Sequence, residues 1–110
     1  MSDVGGVGGS QPEYSPEEIR GYKKDYEKGF DLFQRAFHAY NQPKVEEHKK
    51  EQLKKVMHEA LNIMNETASI ALKKDKLADE ERLSNDYAAF VQNPTEENQK
   101  KVQSDLESLK

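Results

Sequence analysis

Cysteine and tryptophan are absent from this chain of 110 residues, and proline occurs only four times. Without thiols there is no disulfide, no thiolate nucleophile and no sulfur-ligated zinc site. No stretch approaches the ~20 consecutive apolar residues of a membrane-spanning helix, so membrane insertion is not expected. The N-terminus carries no basic segment followed by an apolar one, which predicts no cleavable secretory signal. Ser2, not glycine, follows Met1, so myristoylation is not expected. A cytoplasmic protein is the expectation, with export without a cleavable signal as the alternative.

Charge of one sign is also lacking. The net charge of −4 is mild, and neither phosphate nor anionic lipid is strongly attracted by it. Apolar residues make up 34% of the chain and charged residues 35%, so any core is narrow. All six glycines and all four prolines fall outside the segment 44–93, so the helices there have no internal breaker.

What is present is an aromatic stripe. Tyr22, Tyr26, Phe30, Phe33, Phe37 and Tyr40 are six of the nine aromatic residues. At ~100° per residue they fall within roughly 80° of one helix face. Ser15-Pro16-Glu17-Glu18 ahead of them reads as a capping box with proline at the first helical position. Asn41-Gln42-Pro43 ends the element. Gly21 and Gly29 interrupt it, each at a cost of ~1 kcal/mol relative to alanine, and Gly29 lies on the aromatic side, where another backbone could approach.

A second helix is expected from about Lys44 to Lys73, with an apolar arc of roughly 200° that includes Val56, Met57, Ala60, Leu61, Ile63, Met64, Thr67, Ala68 and Ile70. That arc is wider than one neighbour covers. The spacing then predicts a break between Lys73 and Asp79, a third helix over about 77–92 with Leu83, Tyr87, Phe90 and Val91 on its face, and a fourth over about 94–109, started by Asn93 and Pro94 and carrying Val102, Leu106 and Leu109. Short connections between such elements give an all-α fold: a small antiparallel helical bundle of three to four helices over residues 15–110. Residues 1–14 form a Gly-rich tail expected to be disordered. Residues 1–12 also have the composition of an uncleaved export leader.

Few residues invite chemistry. His38, His48 and His58 lack a Glu-x-x-His pairing, and solvated surface positions account for them better than metal binding. The pairs Glu46/Glu47, Glu80/Glu81 and Glu96/Glu97 read as solvated, not as tuned catalytic acids. The N-terminal glycines do not form a phosphate loop. Lys44, Lys49, Lys50, Lys54 and Lys55 are interleaved with Glu46, Glu47 and Glu51, which argues against nucleic-acid binding. No catalytic, cofactor-binding or metal-binding residue is assigned, and enzymatic activity is not expected.

Asp25-Tyr26-x-x-Gly29-x-x-x-Phe33-x-x-Ala36-Phe37 resembles the second helix of a tetratricopeptide repeat. The resemblance covers that helix alone, nothing similar recurs ~34 residues on, and the pattern is common to helical hairpins, so no family is assigned from it. The function expected is a non-catalytic, adaptor-like interaction module with coiled-coil-like packing. Its partner is another protein, a helical peptide or a second copy in a homodimer, and Tyr26, Phe30, Phe33, Phe37, Met57 and Met64 are the candidate contact residues. The alternative is a bacterial secretion-associated protein, either a small chaperone or an exported substrate.

Overall fold

The computed structural model describes residues 14–110, and Pro16 to Leu109 of these lie in four helices and the short connections between them. The Gly-rich leader expected over residues 1–12 lies outside the described residues. Tyr14, assigned to the tail on sequence, sets its ring edge-on against Tyr22 with centroids 5.4 Å apart.

Helix α1 spans Pro16–Tyr40. Its start is the capping box expected: the Glu18 amide donates to Ser15 Oγ at 3.1 Å, and the Ser15 amide donates to Glu18 Oε1 at 3.0 Å. Asn41 ends it, donating from Nδ2 to the Phe37 carbonyl at 2.8 Å. Lys44 then takes a left-handed conformation with φ of 65°, and the chain reverses into α2, Glu47–Ala71. The expected start at Lys44 is three residues too early, because that reversal uses Lys44 itself.

The break after α2 needs no glycine or proline. Leu72 and Lys73 are extended, with ψ of 151° and 164°. Leu72 lies against the core, so burial of its side chain opposes the helical propensity of the segment. Helix α3 begins at once, Lys74–Gln92, and α4 covers Glu96–Leu109. Thr95, two residues later than expected, caps α4 by accepting the Asn98 amide at 3.1 Å. Asn93 instead closes α3, and its carbonyl accepts from Asn98 Nδ2 at 2.9 Å.

Successive helices run antiparallel. Gly29 faces Ala60, Ile63 and Met64 across the α1–α2 seam, and a Cβ built on it would come within 3.0 Å of the Ala60 carbonyl oxygen. Lys76 Nζ reaches the Ser108 carbonyl from the opposite end of the α3–α4 hairpin from Asn98, whose Nδ2 lies 3.5 Å from the Ala89 carbonyl. The aromatic stripe joins the hairpins. Phe33 meets Tyr87 edge-on at 5.1 Å, while Phe37 and Tyr40 meet Phe90 at 5.3 and 5.8 Å. The inter-helix ring partners of the stripe thus lie on α3. Edge-on contacts between rings add to the burial of their area.

Candidate interaction surface

Five of the six contact residues proposed from sequence form the core. Phe33, Met57 and Met64 have no exposed surface, and Tyr26 and Phe37 are buried with them. Phe30 alone is half-buried, stacked on Tyr26 at 6.4 Å. The five buried side chains hold the bundle together and are not presented on the surface of the folded protein.

Two grooves and one helical face are the larger candidate surfaces among the described residues. Between α1 and α4 lies a groove of about 610 Å³. Phe37 and Leu106 contribute its apolar part, and Asp31, Gln34, Arg35, His38, Gln103, Ser104 and Glu107 make the rest polar. His38 Nε2 is 3.2 Å from Gln42 Nε2. Between α2 and α3 a shallower groove of about 420 Å³ includes His58, whose ring stands edge-on to Tyr87 at 5.4 Å. His48 is exposed and lies 3.3 Å from Glu46. Among the described residues, no three histidine or acidic side chains converge as metal ligands.

The third surface is the outside of the α1–α2 hairpin. Leu32 is 46% exposed, Val56 37% and Ile63 36%, while smaller or fully covered apolar side chains fill the interior. Helix geometry explains why. At ~100° per residue, Leu32 lies ~60° to the outer side of Gly29, and Val56 and Ile63 lie ~40–60° to the outer side of Ala60. Gly29 and Ala60 bring the two backbones close, and the larger side chains beside them are displaced outward. Ala39 and Ile70, both half-buried, follow Leu32 and Ile63 after seven residues. Seven-residue spacing of this kind is the pattern that presents an apolar seam to further helices.

The edges of this face differ in charge. Lys28 and Arg35 flank Leu32 on α1, whereas Glu59 and Glu66 flank Ile63 on α2, and all four are exposed. Arg35 also pairs with Asp31 at 3.1 Å. Sequence reasoning counted Val56 and Ile63 in a face too wide for one neighbour, but it missed Leu32. The signal was its position one heptad before Ala39, outside the aromatic arc.

The two perturbed carboxyl groups line neither groove. Asp105 on α4 is 3% exposed and Glu80 on α3 is 6% exposed. Burial pushes the Asp105 carboxyl up to about 7; a hydrogen bond to Asp86 and that residue's charge reinforce the shift, and Arg82 at 3.8 Å opposes it. Burial and the neighbouring Glu81 raise Glu80. Burial also raises the Tyr26 and Tyr87 phenols, helped by Glu80 and Tyr40 respectively. One oxygen of each of these four side chains is buried without a hydrogen-bond partner.

No described helix is long and apolar enough to cross a membrane. Comparison with known proteins adds no relative: no family model, curated protein or solved structure matches this chain.

Proposed function

We propose that this chain is a non-catalytic, adaptor-like protein–protein interaction module whose contact surface is the outer face of the α1–α2 hairpin. The observation that carries the reading is the row formed by Leu32, Val56 and Ile63, large apolar side chains left on the surface of a chain poor in them. Scattered apolar residues need no explanation, but a row rimmed by charge has the make-up of an interface. The titratable groups support the same reading. Acid–base catalysis needs a group within hydrogen-bonding reach of a substrate, and Glu80 and Asp105 are sealed between helices.

The test is photo-crosslinking in the native cell. A photoreactive residue at Leu32 is expected to give a discrete protein adduct that disappears when Ile63→Glu is added. The same reagent at the exposed Glu81 of α3 should give none. Equal labelling from both positions, or none from Leu32, would remove this surface as the site of interaction.

A further inference from the structure

We propose that the outer face of the α1–α2 hairpin binds a second copy of this chain, in a dimer whose two-fold axis runs parallel to the helices and lays α1 of each subunit over α2 of the other. This inference rests on the interaction-module reading and names its partner. Three observations converge on it.

The first is size. Each helix of the hairpin has 25 residues, which at 1.5 Å per residue is about 37 Å. Two adjacent helices are about 20 Å wide, so the face covers about 750 Å². A standard stable interface buries about 800 Å² on each partner. A face of this extent suits an equally long helical pair, and a second hairpin of the same kind is such a pair.

The second is the layout of the face. Its apolar row runs along the middle, through Leu32 and Ala39 on α1 and Val56, Ile63 and Ile70 on α2, with ionised side chains at both edges. Isologous association requires a surface complementary to itself. An apolar midline meets its own copy without leaving a buried charge unpaired.

The third is the sign of the edges, which selects the symmetry axis. An axis perpendicular to the helices would stack α1 on α1 and α2 on α2, with Lys28 and Arg35 on the basic edge of the other copy and Glu59 and Glu66 on the acidic one. An axis parallel to the helices lays the basic edge of α1 over the acidic edge of α2. The register agrees. Gly29 lies opposite Ala60, Ile63 and Met64, so Lys28 is level with about residue 63 and Arg35 with about residue 56 of the antiparallel α2. A pure two-fold rotation about a parallel axis preserves those levels. Lys28 then falls between the partner's Glu59 and the partner's Glu66, and Arg35 falls within one turn of the partner's Glu59. Asp25 closes the end of the row on α1, one turn from Lys28.

Sedimentation equilibrium on the purified full chain, from about 1 μM to about 1 mM to span the affinity range of modest interfaces, should show a reversible dimer. Leu32→Glu and Ile63→Glu should each be monomeric with unchanged helical circular dichroism. Lys28→Glu with Arg35→Glu should weaken the dimer about tenfold, as should Glu59→Lys with Glu66→Lys, from the loss of several edge pairs. Mixing the two charge variants should restore association, because the all-acidic copy then faces the all-basic one. The lack of native cysteine makes the geometry directly readable: Lys28→Cys mixed with Glu59→Cys should give a mixed disulfide, and Lys28→Cys alone should not couple to itself. A monomer at every concentration, or self-coupling of Lys28→Cys, overturns the dimer. If the dimer fails while the Leu32 photoadduct contains a different protein, the interaction module stands and only the second copy is wrong; if that adduct is also missing, both readings fall.

Discussion

Gly21 and Gly29 are both helical glycines of α1, yet their surroundings give them opposite roles. A Cβ at Gly21 would touch nothing within 4 Å. Gly21→Ala therefore removes backbone entropy from the unfolded chain at no steric cost and should stabilise the protein by about 0.5–1 kcal/mol. A Cβ at Gly29 would lie 3.0 Å from the Ala60 carbonyl oxygen and 3.2 Å from carbons of Ile63 and Met64. The carbonyl belongs to α2 and can move only with that helix. Overpacking a tight seam costs about 1–3 kcal/mol, which exceeds the propensity gain, so Gly29→Ala should be destabilising. Urea unfolding of the two variants should move the midpoint in opposite directions. A midpoint raised by both substitutions would mean that the α1–α2 seam is looser than this packing.

At the scale of the element, the ends of the helices separate what local sequence dictates from what packing dictates. Ser15, Pro16 and Glu18 sit within one turn and satisfy one another through the capping box, so the start of α1 was legible to the residue. The order of the helices was legible too, because apolar spacing is a local property, whereas their number was left between three and four and the structure has four. The α2–α3 break was legible only as a loss of register, since its cause is the docking of Leu72 on a core made by distant residues. The shift of the α4 cap from Asn93 to Thr95 has a similar origin: Asn93 is held as the end of α3, where its amide donates to the Ala89 carbonyl at 2.9 Å. The imposed break leaves a local deficit. Lys73 occupies the N-cap of α3 with extended backbone, and its side chain accepts no helix-end amide. Lys73→Asp places an acceptor there and a negative charge at the positive end of the helix dipole. A gain of about 1 kcal/mol is expected, read as a rise in Tm of about 5 °C. An unchanged melting curve would mean that the α3 start is already satisfied by water.

Across the whole molecule, the candidate surface was less legible than the fold because partner contact and core burial draw on the same residue types. Phe33, Phe37, Met57 and Met64 fit a groove or a core equally well by composition, and only the assembled bundle assigns them to its interior. Leu32 could be recognised as superfluous only once Gly29 and Ala60 fixed the distance between α1 and α2. Buried acids are likewise a property of the assembled molecule. The Asp105 pKa is raised from 3.8 to about 7, so between those values the folded chain holds a proton that the unfolded chain has released. Stability then falls as pH rises through that interval and levels off above about pH 7, where both states are ionised. The raised Glu80 acts in the same direction. Most acidic groups paired in a fold give the opposite slope, so the sign is diagnostic. Asp105→Asn keeps a donor toward Asp86 and removes the ionisation. It should stabilise the protein at pH 8 by about 2 kcal/mol, raise Tm there by about 5–10 °C, and flatten the decline between pH 4 and 7 to the part contributed by Glu80. Asp31→Asn, at an exposed ion pair with Arg35, should leave that decline unchanged. A slope in Asp105→Asn equal to that of the parent would show that the α3–α4 seam does not hold this proton, and that Asp105 reaches water in the folded state.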